Sequence, residues 1–331
     1  MKPRPVSAMA VLLALAFVGP ALVFLAPTRA GSAGRDAGPQ SIPAVTVPRG
    51  AALSPRPPCL QGLRFGLTPY LPTELLRREF KPIMAYLSEK LHMPVDLVIA
   101  ATYEELGTWL EEKLVDIASF SPLAYVVEKR RNPSVRLLAG QIVGGATSFT
   151  AYLIVREDAK IHELEHLRGK TLAFVDRTSS SGYLFPYAFF LDHGVDPEHF
   201  FGRILFAGNH LEAIRCVLDR RADAAATYSE GLMTARHSGL DVRPVRIFKK
   251  TGMVPADAVC ARGDLDPSLV QQVKTLLLGL DTVSEQGRAI LGQTLRINGW
   301  VEVGDRHYDT VRAVLELVER HTGTQASAGM Q

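Results

Sequence analysis

Cysteine, tryptophan and a surplus of one charge are all scarce in this sequence. The 331 residues include three cysteines and two tryptophans, so no framework of several disulfides is expected and one thiol must stay unpaired. Basic residues number 37 against 34 acidic ones, and the surplus of three is Lys2, Arg4 and Arg29. From Gly31 onward the chain has no net charge, so it lacks the basic field that binds nucleic acid. We expect no nucleic-acid partner, and any affinity for an anion must come from a local site.

Long hydrophobic runs are scarce too, since the sequence contains one such run, from Ala8 to Ala26. Lys2 and Arg4 precede it and Thr28-Arg29-Ala30 follows it, a pattern typical of a signal peptide over residues 1–30. The run is long enough to span a bilayer, so an uncleaved inner-membrane anchor over residues 8–26 is the alternative. Both interpretations place the rest of the chain in the periplasm, and neither describes a multispanning protein.

Residues 31–60 are rich in glycine, alanine, proline and serine without a hydrophobic period, which predicts a flexible tether. Cys59 lies in this tether, too far from the apolar run to be a lipid-carrying cysteine. Cys216 and Cys260 fall in a predicted helix and a predicted strand, where buried free thiols are expected.

Strand and helix patterns alternate from Leu63 onward and then restart near residue 149. This order is typical of an α/β protein with mostly parallel sheets flanked by helices, in which ligands bind at the carboxyl ends of strands. Two similar units joined by two chain crossings predict a cleft that closes over a small ligand. We therefore predict lobe 1 over residues 61–149 and 256–322, lobe 2 over 150–255, and a tail over 323–331.

Four hydroxyl residues in a row, Thr178-Ser179-Ser180-Ser181, follow the predicted strand 171–175, and a helix is predicted from Tyr183. Serine and threonine cap the free N–H groups at a helix start, and those N–H groups with the positive end of the helix dipole favour an oxyanion. A cap needs one hydroxyl. The surplus predicts contact with a ligand.

A histidine and two acids are further candidates for the cleft. Asn209 is the predicted cap of a helix whose first turn contains His210, a position that favours a neutral, hydrogen-bonding imidazole. Glu230 follows a predicted strand end and Asp257 lies at the predicted lobe crossing, so both carboxylates could face the serines. The alternative for either acid is an ordinary surface carboxylate.

The segment His162-Glu163-Leu164-Glu165-His166 has the H-E-x-x-H pattern of a zinc hydrolase. That chemistry needs a helix presenting both histidines, and here the apolar period is short and ends at Arg168-Gly169. No G-x-S-x-G motif accompanies the serines either. The sequence predicts no catalytic residue, no metal and no cofactor.

Several short motifs together resemble the phosphonate- and phosphite-binding periplasmic proteins of ABC importers. They are 175–183, Ala207-Gly208-Asn209-His210, Ala222-Asp223-Ala224-Ala225, Leu167-Arg168-Gly169-Lys170, Val115-Asp116-Ile117-Ala118, and Asn298-Gly299-Trp300 with Tyr308. The resemblance covers residues 63–320. It implies a two-lobed type II periplasmic binding protein with a two-stranded hinge.

The resemblance also implies roles for individual residues. The family's oxyanion contacts correspond to Ser179, Ser180, Ser181 and His210, with a tyrosine at Tyr103. Glu230 and Asp257 match acids that hold a ligand amino group in some relatives. Phe120 stands where a relative can carry a tyrosine, which removes one possible hydrogen bond.

These observations predict a monomeric solute-binding protein, not an enzyme, which captures a phosphonate, phosphite or related oxyanion for an ABC permease. One alternative is a periplasmic sensor of phosphorus or arsenic oxyanions that acts with a membrane histidine kinase, which the tether and possible anchor also fit. The alternative from another class is a zinc hydrolase using His162 and His166.

Overall fold

Two β-sheets organise the chain. A computed structural model describes residues 62–292 and 294–328; the predicted signal segment, the tether and Cys59 lie outside this part. The first sheet has the strand order β11-β4-β10-β3-β1-β2, with β1 (Leu63–Leu67), β2 (Val95–Ile99), β3 (Ile117–Phe120), β4 (Arg136–Val143), β10 (Ala258–Ala261) and β11 (Ile297–Val301). The second has the order β7-β6-β8-β5-β9, with β5 (Ser148–Arg156), β6 (Thr171–Phe174), β7 (Arg203–Phe206), β8 (Ala224–Tyr228) and β9 (Val245–Pro255).

Helices pack on both sheets because their apolar residues recur at three- and four-residue spacing, as Leu76, Phe80, Ile83, Leu87 and Leu91 do on the first helix. The helices are α1 (Thr73–Leu91), α2 (Tyr103–Glu111), α3 (Pro122–Arg131), α4 (Phe185–Asp192), α5 (Pro197–Phe200), α6 (His210–Leu218), α7 (Gly231–His237), α8 (Pro267–Leu278), α9 (Glu285–Ile290) and α10 (Asp309–Ala328).

The predicted two-lobed α/β fold is confirmed, with mixed rather than mostly parallel sheets. Strand β1 runs parallel to β2 and β3, and β6 runs parallel to β7 and β8. The antiparallel pairs involve strands that pass between the lobes. Strand β10 enters the first sheet directly from β9 of the second, so it reaches its place between β3 and β4 running opposite to both.

Two chain crossings lie side by side and form the hinge. One leads from β4 to β5, and the other leads from β9 to β10. The Ala256 N–H of the second crossing donates to the Thr147 carbonyl of the first at 2.8 Å, and the Gln141 N–H donates to the Asp257 carbonyl at 2.9 Å. Asp257 is thereby fixed on the hinge, between the two sheets.

Direct hydrogen bonds join the lobes across the cleft. The Ser121 hydroxyl donates to the Thr178 carbonyl at 2.8 Å, and the Leu123 N–H donates to the Ser180 hydroxyl at 2.7 Å. The His210 N–H likewise donates to the Tyr70 carbonyl at 3.0 Å. The lobes are in contact, so the structure is a closed form.

Two features near the end of the chain differ from the prediction. The sequence predicts no strand at β11, because Asn298-Gly299 has the composition of a turn. In the structure Gly299 lies inside the strand with φ +139°, and an added Cβ would lie 2.7 Å from the Leu280 carbonyl oxygen. Helix α10 continues to Ala328, beyond the start of the predicted tail at residue 323, since no proline interrupts it there.

Cys216 and Cys260 are buried free thiols, as predicted. Within residues 62–292 and 294–328, no helix has the length and apolar character needed to cross a membrane.

Candidate oxyanion site in the interlobe cavity

The hydroxylated turn after β6 folds around its own side chains. The Thr178 N–H and hydroxyl both donate to Asp176 Oδ1 at 2.8 Å, and the Ser179 hydroxyl accepts from the Gly182 N–H at 3.1 Å. The helical segment begins at Ser180 rather than at Tyr183, as one π-turn over Ser180–Leu184 that leads into α4. A wide turn of this kind is common at functional sites.

The four hydroxyls of this turn are not equivalent. Thr178 donates its proton to Asp176, so that hydroxyl is not available to an anion. The Ser179 and Ser180 hydroxyls act as acceptors, from Gly182 and Leu123 respectively, so each still has its own proton to donate. The apparent surplus of hydroxyls is therefore partly structural, and donors to an oxyanion remain at Ser179, Ser180 and Ser181.

Gly182 is required by the packing of this turn. A Cβ at this position would lie 2.4 Å from Val175 Cβ and 2.7 Å from Ser179 Oγ. We expect Gly182→Ala to lower the free energy of unfolding by about 1–3 kcal/mol, because it overpacks the turn. Chemical denaturation measures the change. Gly304→Ala is the control, since no atom lies within 4 Å of its added Cβ, and equal stability losses in the two variants would contradict the assignment.

His210 opens α6, and the predicted Asn209 cap is confirmed by its side chain accepting from the Glu212 N–H at 3.0 Å. Burial lowers the pKa of His210 to about 3, so the imidazole is neutral at physiological pH. Its Nδ1 lies 3.3 Å from the Thr227 hydroxyl. When Thr227 donates to Nδ1, Nε2 carries the ring proton and serves as a donor.

These side chains line one cavity of about 40 Å³ between the lobes. Both lobes contribute to its wall, which brings together Ser179, Ser180, Ser181, His210, Tyr103 and Asp257 from the predicted set. The sequence analysis missed the other lining residues, which are Tyr70, Ser121, Pro122, Gln141, Val143, Phe149, Tyr228, Leu295 and Ile297.

The tyrosines of the cavity remain protonated donors. Burial is the main cause that raises the pKa of Tyr70, Tyr103 and Tyr228 well above the usual value for a phenol. The Tyr103 hydroxyl and the Gln141 side-chain nitrogen are buried without a hydrogen-bond partner. Unpartnered buried polar atoms are costly, so these two are poised for a ligand.

Asp257 supplies the carboxyl group of the cavity. Burial raises its pKa from 3.8 to about 7, so around neutral pH a large fraction is uncharged and can donate a hydrogen bond. No lysine or arginine is among the residues that the described structure places in this wall. The cavity therefore offers neutral donors and one titratable carboxyl group, which suits a small oxyanion of low charge.

The comparison with protein families decides the class of this molecule. Residues 65–308 match the sequence model of the periplasmic substrate-binding proteins of phosphonate ABC transporters. This range includes every residue of the cavity and both sheets except the first two residues of β1. The chain belongs to this family.

Curated relatives of this family member include two bacterial proteins. The phosphate-import protein PhnD of Mycolicibacterium smegmatis is 26% identical over 77% of this chain and 84% of its own length. A probable ABC transporter phosphite-binding protein, PhnD1 of Prochlorococcus marinus, is 24% identical over 69% and 80%. The solved structure of Prochlorococcus PhnD1 with methylphosphonate has a TM-score of 0.72 at 20% identity, over 78% of this chain and 98% of that one, so it shows the same fold.

Two of the predicted site residues lie outside the cavity wall. Glu230 precedes α7 and accepts a hydrogen bond from the Ser229 hydroxyl. Phe120 is 1% exposed at the end of β3 and lines a separate, smaller cavity on another side of Tyr103. The structure thus does not place Glu230 beside Asp257 as a pair of cavity acids.

The H-E-x-x-H segment does not form the helix that its zinc chemistry requires. Only Leu164–Leu167 is helical, as a 3₁₀ turn, and His162 precedes it. His166 Nδ1 accepts from the His162 N–H at 3.1 Å and caps the turn, so this ring nitrogen is already used. The two imidazole rings are neighbours, with their centroids 6.3 Å apart, but they are not carried by the α-helix on which a zinc hydrolase presents its two histidines.

We predict that this segment binds no zinc. Elemental analysis of protein purified without chelator should find less than about a tenth of an equivalent, because among the described residues no third histidine, cysteine or acidic side chain joins the two histidines to complete a metal site. Stoichiometric zinc that disappears in His162→Ala would contradict this.

Proposed function

We propose that this family member captures a small phosphorus oxyanion, a phosphonate or phosphite, in the interlobe cavity and presents it unchanged to an ABC permease. The observation that carries the proposal is the convergence of neutral donors on one cavity: Ser180, Ser181 and His210 come from one lobe and Tyr103 comes from the other. Donors held in place before binding lose little entropy when an oxyanion arrives.

The size of the cavity supports this ligand class. A water molecule needs on the order of 10–15 Å³ measured in the same way, so about 40 Å³ holds roughly three or four water-sized groups. A tetrahedral oxyanion with a hydrogen or a methyl group fits that space.

The charge of the cavity restricts the charge state of the ligand. A dianion would meet no cationic side chain and would face Asp257, whereas a monoanion can accept bonds from the serines, His210 and the protonated carboxyl group. We therefore propose that the monoanionic form of the ligand is the form bound.

The low pKa of His210 supports binding of the ligand without a catalysed reaction. An imidazole whose pKa is about 3 is a poor general base at neutral pH and cannot activate a neighbouring serine efficiently. The relatives named for phosphate import and phosphite binding support transport of an intact oxyanion.

Calorimetry with methylphosphonate, phosphite, phosphate and sulfate tests the proposal at pH 6.5. We expect methylphosphonate or phosphite to bind with 1:1 stoichiometry and at least about tenfold more tightly than sulfate, because sulfate is a dianion at this pH and meets no cationic side chain among the lining residues. Recovery of the ligand unchanged by phosphorus NMR checks the absence of turnover. Preferred binding of sulfate, or conversion of the ligand, would overturn the proposal.

A further inference from the structure

A small junction joins the lobes beside the oxyanion cavity, where α7 of lobe 2 meets the segment that leads into β11 of lobe 1. Nη1 of Arg296 donates to Sδ of Met233 at 3.3 Å, and the Thr234 hydroxyl lies 3.5 Å from the Thr294 carbonyl oxygen. The residues on either side of Arg296 in the chain both line the oxyanion cavity. The junction therefore belongs to the closed form and is lost when the lobes separate.

The acceptor in this junction is poor for the donor that it meets. A guanidinium carries five N–H donors, and a thioether sulfur is a weak acceptor. In the part of the chain that the structure describes, the side chain of Arg296 has this one hydrogen bond and no ion pair. Glu230, the acid immediately before α7, accepts from the Ser229 hydroxyl instead. A stronger acceptor at the position of Sδ would therefore strengthen the contact between the lobes.

The thioether of Met233 can be converted into such an acceptor. Met233 is 42% exposed, so a small peroxide can reach it. Hydrogen peroxide transfers one oxygen atom to the sulfur: the O–O bond breaks, an S–O bond forms and water leaves, while the sulfur loses two electrons that the peroxide gains. The sulfoxide oxygen is polar, and a hydrogen bond to it from a guanidinium is charge-assisted and stronger than the bond to a thioether.

A second exposed methionine provides a comparison within one lobe. Met253 on β9 is 58% exposed, and its Sδ accepts from the Thr150 hydroxyl of β5 at 3.5 Å. Both strands belong to the second sheet, so this contact does not join the lobes. Met84 on α1, by contrast, is 5% exposed. Of these three methionines, Met233 is the one that is both exposed and in contact with the other lobe.

We propose that Met233 is an oxidation site that regulates ligand release. Its sulfoxide holds Arg296 more tightly than the thioether does, which stabilises the closed form relative to the open form and slows the departure of the bound oxyanion. The assignment rests on the proposed function, since it concerns release from the same cavity. Reduction of the sulfoxide by methionine sulfoxide reductases reverses the change.

Leucine substitutions at the two exposed methionines test this proposal, because leucine is close to methionine in volume and has no sulfur. The dissociation rate of methylphosphonate is measured by stopped-flow displacement before and after treatment with hydrogen peroxide, and peptide mass spectrometry reports the sulfoxide at each methionine. We expect oxidation to slow release at least about threefold in the wild type and in Met253→Leu, the matched control, because the new bond is charge-assisted. Release from Met233→Leu and Arg296→Met should change by less than about twofold, since one lacks the sulfur and the other lacks the donor.

Hydrogen exchange provides a readout that does not need the ligand. The Leu123 N–H donates to Ser180 across the lobes, so its exchange in ligand-free protein requires the lobes to open. We expect oxidation to slow this exchange at least about threefold in the wild type and to leave it unchanged in Met233→Leu.

The outcomes separate regulation at Met233 from oxyanion capture. Unchanged or faster release from wild-type protein that carries the sulfoxide at Met233 overturns the proposal, and so does equal slowing in oxidised Met233→Leu. If the wild type binds no phosphonate, the proposed function fails, while slower exchange of the Leu123 N–H would still support the bond between the sulfoxide and Arg296. Thermal melting of each variant confirms that folded protein is being compared.

Discussion

Replacing Ser181 and His210 together by alanine is expected to weaken binding of methylphosphonate or phosphite at least a hundredfold. Both residues line the oxyanion cavity and are buried. A hydrogen bond to a charged group contributes roughly 1.5–3 kcal/mol, so each substitution alone should cost about tenfold or more. Calorimetry on the single and double variants measures the loss.

Melting with and without ligand separates a binding role from a structural one. Ligand at a hundredfold excess over its dissociation constant should stabilise the wild type by about 2.7 kcal/mol, and the double variant should lose most of that increment. Asp266→Ala is the control: Asp266 caps α8 by accepting from the Leu269 N–H at 2.9 Å, and it does not line the cavity. That variant should lose about 1 kcal/mol of stability and keep the full ligand increment. If Ser181→Ala and His210→Ala behave in the same way as this control, the oxyanion lies elsewhere.

The second large effect concerns Asp257: its substitution by asparagine should remove a strong pH dependence of the free energy of unfolding. The folded protein holds a proton up to a pKa of about 7, whereas the unfolded chain releases it near 3.8. Stability in the wild type should therefore fall as pH rises from about 4 to 7, with a limiting slope of about 1.4 kcal/mol per pH unit, and level off above. Asp257→Asn should show no such fall.

The affinity for the ligand should also depend on the ionisation of Asp257, but over a higher range of pH. Above about pH 7 the ionised Asp257 repels the anion, so wild-type affinity should fall by up to about tenfold per pH unit relative to Asp257→Asn. The ratio of the two dissociation constants for methylphosphonate cancels the ligand's own titration. Asp192→Asn, at an exposed position on α4, is the control. A ratio that stays constant from pH 6 to 9 would show that Asp257 does not contact the ligand.

Much of the fold follows from local sequence patterns. The Asn209 cap and the strand before Thr178 are predicted from the residues around them, and the structure confirms both. These signals are local because helix faces, caps and buried strands are set by neighbours within a few residues. Strand β11 is different, since the reason for Gly299 lies in a backbone approach from Leu280 and not in its own neighbourhood.

The oxyanion site was only partly visible in the sequence for the same reason. The consecutive hydroxyls mark one wall, but Tyr70, Gln141 and Tyr228 reach the cavity through pairings between distant segments. The sequence also could not show which hydroxyls make structural hydrogen bonds, since Ser180 accepts from the Leu123 N–H of the opposite lobe. Position along the strands would have offered one clue. Gln141 and Tyr228 each lie at or near the carboxyl end of a strand, where ligands bind in such sheets.

Ser180 lines the cavity and also accepts the hydrogen bond from the Leu123 N–H of the opposite lobe. Separating the lobes breaks this bond and opens the cavity wall at Ser180 in one movement, so ligand binding and lobe closure form a single equilibrium. A permease that binds the open form more tightly than the closed form would thereby lower the affinity for the ligand without contacting the ligand itself.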